Sequence, residues 1–376
     1  MKTHLLAILL IIVLCTSCTE ESPKNTFDTP ITNKYAKGFQ IFQQTENNSI
    51  SYIIKIKDRY DNSETVSKIY YLSRNLNNNK SCIKIPIKKA ICLSTTHCAF
   101  ISVLNEENTI KAVSGKDFIF NDRINEFIKS GKIVDVGYDQ QIDYEKIISI
   151  NPDVVFAFGV DNSSMSAFKK LIDINIPVIF VGDFLEEMPL GRTEWIKFFG
   201  CFYDNLAFAT NYFDSVSNNY NNLIRNEITN QQEKPKVLVG LPWKGIWWLP
   251  GGKSFFANFI KDAGGEYFLS NNTQSESVSH SLEEVFVIAK DIDIWLNTNS
   301  IKSKDEITKI DSRLKKFIPT KNAIIYNNNN RLTENGANDF WESGIVHPDI
   351  ILEDLQKIFH SNSPNKEPLY YYKKVE

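Results

Sequence analysis

Three tryptophans and a lysine crowd one short stretch, Trp243, Lys244, Trp247 and Trp248. An aromatic wall with one cation suits a bulky ligand that offers a flat face and some negative charge. Packing of two of these rings into a core is the alternative, and at least one is expected to face the ligand. Arg192 and Arg331 are further cationic candidates, since a guanidinium grips carboxylates in a two-point fork. Surface ion pairing is their alternative. His97 follows a short apolar run and offers an imidazole to a metal, or simply caps the next helix. Thr96, Tyr138, Gly159 and Asn297 stand where such runs end. Asn327 to Asn330 supply amide donors and acceptors, or form a solvated loop. Trp341 reaches a ligand or packs against the last helix. Catalysis is poorly provided for. Ser94 and His97 lie three positions apart with no third member, and there is no glycine-rich phosphate loop or nucleophile elbow. Histidines 97, 280, 347 and 360 are few for a directly bound zinc or manganese ion. Binding without chemistry, and without a resident cofactor, is the expectation.

These residues need a frame. Between Gly200 and Pro235 no glycine or proline interrupts the chain, and apolar residues at 206, 209, 213, 216, 220, 223 and 228 recur at a helical period. The spacing predicts one amphipathic helix over 204–232, roughly 40 Å long. Short apolar runs alternate with helical patterns on both sides of it. On the N-terminal side the runs are 90–93, 111–113, 133–136, 153–158 and 177–181; on the C-terminal side they are 236–241, 292–296 and 323–326. Such alternation implies two α/β lobes with largely parallel sheets. Ligands of these sheets sit beyond the carboxyl ends of the strands, where most of the residues above stand; Arg192 falls in a short helical stretch at 190–199 and Trp341 near the closing helix. The segment DYEKIISINPDV at 143–154 resembles SLEEVFVIAKDI at 281–292 at a constant offset of 138, as expected of two lobes on one plan.

The ends are different. Residues 5–14 are apolar behind Lys2, too short for a membrane-spanning helix and typical of an export signal. Leu14-Cys15-Thr16-Ser17-Cys18 resembles a lipobox, with Cys18 as the lipidated residue. Residues 51–57 and 67–72 read as strands of an appended β-hairpin. Cys82, Cys92, Cys98 and Cys201 match no zinc spacing and read as small buried apolar groups, although an exported chain could pair them. The near balance of 42 basic and 45 acidic residues gives no footprint for nucleic acid.

Several of these stretches resemble the periplasmic-binding-protein family of iron-complex and cobalamin ABC importers. They are AICLSTTH at 90–97, DYEKIISINPDVVFAF at 143–158, IPV at 176–178, PGGKSFFA at 250–257 and DAGG at 262–265. The likeness covers about residues 84–360. The stretch 243–252, GANDFWESG at 336–344 and the N-terminal strands resemble the Bacteroidetes branch. The resemblance implies the class III fold, two Rossmann-like lobes bridged by one long helix, with a ligand in the cleft. It divides the chain into a signal peptide (1–17), a tether with β extension (18–83), a first lobe (84–186), connecting helices (187–235), a second lobe (236–347) and a closing helix and tail (348–376). It further implies a monomer, lipid-anchored in the periplasm or at the cell surface, that captures an iron or cobalt complex. The candidates are a ferric siderophore, cobalamin or haem, delivered to an ABC permease and its ATPase. A surface scavenger serving an outer-membrane transporter is the alternative, and a hydrolase on the same fold a remoter one. The family offers one surface glutamate per lobe to the permease. Here the expected glutamates are missing near Met165 and Lys253, leaving Glu194, Glu266 or Glu276 as substitutes.

Overall fold

A computed structural model describes residues 29–46, 49–57, 66–75, 82–138, 141–159, 168–228, 233–289, 291–298, 301–317, 324–360 and 368–376. The signal region, Cys18 and the stretch around Met165 lie outside them. The long helix is Leu206–Ile228, 23 residues. Its buried stripe is Ala209, Phe213, Val216 and Tyr220, at the spacing of one helical face. Each fully buried Phe or Val there stabilises by about 1.5–3 kcal/mol. Tyr220 donates to Asp262 at 2.8 Å and Gln356 donates to the Leu223 carbonyl at 3.0 Å, which fixes the helix to the second lobe and to the closing helix Pro348–Phe359. Two short helices, Pro189–Thr193 and Ile196–Phe202, lead into it.

The N-terminal extension is larger than a hairpin. Strands β1 (Thr29–Ile31), β2 (Phe39–Glu46), β3 (Ser49–Lys57), β4 (Val66–Ser73) and β5 (Cys82–Lys84) form one sheet in that order. The first four pair antiparallel, and β5 joins β4 in parallel. The connection from β1 to β2 grips the inter-lobe helices through two buried carboxylates. Glu194 accepts from the backbone N–H groups of Lys34, Tyr35 and Ala36 at 2.7–2.9 Å. Glu186 accepts from those of Lys37 and Gly38.

The first lobe's sheet comprises β6 (Ala90–Cys92), β7 (Ile110–Val113), β8 (Val134–Asp135), β9 (Val154–Phe158) and β10 (Val178–Val181), all parallel in the order β10-β9-β6-β7-β8. The second lobe has β11 (Lys236–Val239), β13 (Glu266–Tyr267), β15 (Ile294–Leu296) and β16 (Ile324–Asn327) in the order β13-β11-β15-β16. β17 (Lys373–Lys374), from the C-terminal tail, closes that sheet antiparallel to β16. In each lobe the first strand is flanked by the next parallel strand on one side and by the later strand of the 138-offset segment on the other. The matched helices run Tyr144–Ile150 and Leu282–Ile288, and each is capped by the side chain before it, Asp143 and Ser281.

The tryptophan stretch departs from the expected loop. β12 (Ile246–Pro250) pairs with β14 (Ser277–Ser281) as a separate antiparallel ribbon. Trp243 and Ile246 bond to each other across Lys244 and Gly245, both left-handed at φ 51° and 80°. That is the two-residue turn that matches hairpin twist. Among the described residues the four cysteines are all unpaired with one another, and no helix is long and apolar enough to cross a membrane.

Candidate functional site

The first lobe's strand order reverses between β6 and β9, and the crevice beyond their carboxyl ends opens into a cavity of about 900 Å³. Every strand of that lobe sends a residue to it. Ser94, Thr95 and Thr96 follow β6, Ser114 and Phe118 follow β7, Tyr138 follows β8, Phe158 ends β9, and Asp183 and Phe184 follow β10. The second lobe contributes Asn297 after β15, Asn328 and Asn329 after β16, and a crossing segment from Leu332 to Ile345 that includes Asn338 and Trp341. Phe118, Tyr138, Phe158, Phe184 and Trp341 are all substantially exposed, a collar of aromatic faces at the opening. Phe118 and Tyr138 stand 5.1 Å apart, and Trp341 leans on Phe340 at 4.9 Å.

The crossing segment is bolted to the first lobe. Thr95 donates its hydroxyl to the Trp341 carbonyl at 3.2 Å. The Glu342 carboxylate accepts from the N–H groups of Phe120 and Asn121 at 2.7 and 2.9 Å. Burial lifts this carboxyl to about 7 against the pull of those two N–H groups, and nearby Asp339 adds to the rise. On the other wall, burial raises Asp183 while Arg192 and Thr96 oppose it. Burial lowers Arg192 to about 10, which leaves it a cation at neutral pH. Arg192 stacks on Phe255 at 3.8 Å and donates to the carbonyls of Phe184 and Glu186.

Residues 91–317 match the family model for the periplasmic binding protein. The chain belongs to this family. The periplasmic binding protein described here is 27% identical over 310 residues to an uncharacterized lipoprotein of Methanocaldococcus jannaschii, covering 80% of this chain and 71% of that one. A second uncharacterized lipoprotein of that organism is 24% identical, with 86% and 88% covered. Among solved structures, a periplasmic heme binding protein from Pseudomonas aeruginosa superposes with a TM-score of 0.56 at 14% identity, over 77% of this chain and 98% of that one. A periplasmic vitamin B12 binding protein from Vibrio cholerae gives 0.52 at 13%, over 74% and 99%. At these identities the likeness is one of fold.

In this binding protein Thr96, Tyr138, Arg192, Asn297 and Trp341 line the cavity, as do Asn328 and Asn329 of the expected amide run, and the other expected residues do not. His97 is fully buried, packed against Phe156 and Phe199. Burial pushes its imidazole down to about 3, so it is neutral. One helical step past Thr96 turns it from the cleft into the core. Trp247 is also buried, facing Trp295 at 5.7 Å and donating to the Val239 carbonyl. Trp243 and Trp248 are 66% and 55% exposed but stand on the ribbon, outside the lining. Lys244 lies over the Trp243 ring at 4.3 Å. The ribbon takes the exit of β11 away from the cleft, and the whole group goes with it. Arg331 pairs with Asp339 at 2.6 Å and lies against Phe120 and Tyr370. It braces the crossing segment from behind. Gly159 is buried one residue beyond the lining Phe158. Glu194 cannot face a permease, being 0% exposed and occupied by the extension and Lys197; Glu266 and Glu276 are exposed.

Sequence reading missed Phe118, Phe158 and Phe184. Each lies within five residues of a strand's carboxyl end, and an aromatic at that distance was the signal available. Ser114, Asp183, Lys302 and Asn338 had no such mark.

Proposed function

We propose that this protein is the solute-capturing lipoprotein of an ABC importer and holds a bulky, preassembled metal complex between its lobes. The aromatic collar around a cavity of about 900 Å³ carries this reading. Cavities of this size enclose ligands larger than a bare ion, and aromatic faces stack on the flat or apolar parts of a chelate. The lining offers hydroxyls, amides and rings, groups that recognise the outside of a complex. The heme and vitamin B12 binding proteins that share the fold bind ligands of this bulk. Capture needs no reaction, and the product of binding is delivery to a permease and its ATPase.

Quenching of tryptophan fluorescence by ferric catecholates, ferric hydroxamates, haem and cobalamin tests the reading. At least one should bind at micromolar concentration, and Trp341→Ala should weaken it by roughly tenfold or more, as for a central aromatic anchor. Silence from every probe at that concentration defeats it.

The apolar run at 5–14 ahead of Cys18 supports an exported, lipid-anchored chain, as do two relatives named as lipoproteins. Cys18→Ser should move the protein from the membrane fraction to the soluble one; unchanged membrane attachment would remove Cys18 as the anchor.

The long helix and the extension locked onto the inter-lobe helices also favour small motion on binding. Small-angle scattering should show the radius of gyration changing by less than about 1 Å between free and loaded protein. A change of several ångström would mean hinge closure.

A further inference from the structure

The second lobe's wall is made of amides. Asn297, Asn328 and Asn329 follow the ends of neighbouring strands β15 and β16, and all three are at most 8% exposed. Both side-chain polar atoms of Asn329 and the Nδ2 of Asn328 lack a hydrogen-bond partner among the described residues. Ser114, across the cavity, is buried with its hydroxyl in the same state. A buried amide left unpaired costs on the order of 1–3 kcal/mol per group. Several such groups lining one cavity mark a surface shaped for a ligand that supplies both acceptors and donors.

The charge around them is sparse. Among the described lining residues the charged side chains are Asp183, Arg192 and Lys302. Arg192 interacts with Asp183 and spends Nε and Nη2 on backbone carbonyls. Lys302 is exposed. A ferric tris-catecholate carries three negative charges, and a haem carries two carboxylates. Either would ask for a cluster of cations on this wall, where asparagines stand instead.

Resting on the reading of metal-complex capture, we propose that the cavity selects complexes with an uncharged, amide-bearing periphery, read by Asn328 and Asn329 while the collar holds the apolar face. Corrinoids with carboxamide arms and ferric trihydroxamates built on amide backbones share this chemistry.

Isothermal titration of the full chain with cyanocobalamin, dicyanocobinamide, a neutral ferric trihydroxamate, a ferric tris-catecholate and haem compares the classes. A cobalt corrin whose amide arms are hydrolysed to carboxylates isolates the periphery from the ring. A neutral complex should bind at least tenfold tighter than the catecholate and haem. If that complex is a corrinoid, the hydrolysed corrin should lose at least tenfold. Asn329→Leu should weaken the neutral ligand at least tenfold without lowering the unfolding midpoint, because it removes unpaired amide atoms. Asn329→Asp should weaken it as well and serves as the second variant if leucine perturbs folding. Preference among corrinoid and trihydroxamate identifies the source and supports the inference either way. Tighter binding of the catecholate, haem or the hydrolysed corrin overturns the charge selection and leaves metal-complex capture standing. Unchanged affinity in both Asn329 variants overturns the role of the asparagines. Failure of every probe overturns both readings together.

Discussion

Glu194→Ala should lower the thermal unfolding midpoint by roughly 10 °C, the consequence of losing several kcal/mol in a chain of this size. Three backbone N–H groups from Lys34, Tyr35 and Ala36 converge on this carboxylate, and the Lys197 ammonium sits 2.7 Å from it. Both Glu194 and Lys197 are almost completely buried. Truncation leaves the donors unpaired and strands a charge away from water, which costs about 3–5 kcal/mol for a broken buried pair. The extension would also lose its hold on the inter-lobe helices. Glu194→Ala combined with Lys197→Met separates the two costs. The double variant should recover part of the loss, because no charge is then left buried. Urea titration reads both. A single variant within about 0.5 kcal/mol of the parent, the range of ordinary surface changes, would mean that the extension is not held by this carboxylate.

Glu194 also shows where sequence reading stops. As a lone glutamate between lobes it could serve as a docking handle. Its actual partners are main-chain groups 158–160 positions away, and no local pattern announces them. Local patterns did announce the long helix, whose apolar stripe repeats without a breaker, and the two matched helix–strand units. The site divides the same way. A strand's carboxyl end can be read from its apolar run, so Thr96, Tyr138 and Asn297 were found at the cavity. Which way the chain then turns depends on longer-range pairing. Ile246, Trp247, Trp248 and Leu249 alternate exposed and buried, a period of two that marks a strand. Pairing with Ser277–Ser281 is what draws the tryptophans off the cleft. His97 was lost for a smaller reason, since one residue along a helix is a turn of about 100°.

The second large effect is one of pH, and it falls on Glu342. Its ordinary value of 4.5 rises to about 7 in the folded protein, with burial as the leading cause. An acid raised on folding holds its proton more tightly folded than unfolded. Its stabilising contribution is therefore complete below about pH 4.5 and is lost as pH climbs through about 7. A difference of that size corresponds to roughly 3 kcal/mol between the two ends of the window. The groups that bear on this carboxyl are Asp339 from its own segment and the Cys98 thiol from the helix Thr95–Val103. Neither supplies a cation to hold the charged form. Glu342→Gln removes the titration and keeps an acceptor for one of the two N–H groups, Phe120 or Asn121. The variant should be less stable than the parent near pH 5, where the neutral acid costs nothing and the amide has lost one bond. It should match or exceed the parent near pH 8, where the parent carries a buried charge. Urea midpoints taken across pH 5–8 should therefore converge or cross, with the steeper fall belonging to the parent. The Trp341 emission should track the same transition, because its carbonyl and the neighbouring carboxylate share one attachment to the first lobe. Parallel profiles for parent and variant would show that Glu342 keeps its charge in the folded protein throughout this range, and that its two backbone donors outweigh burial.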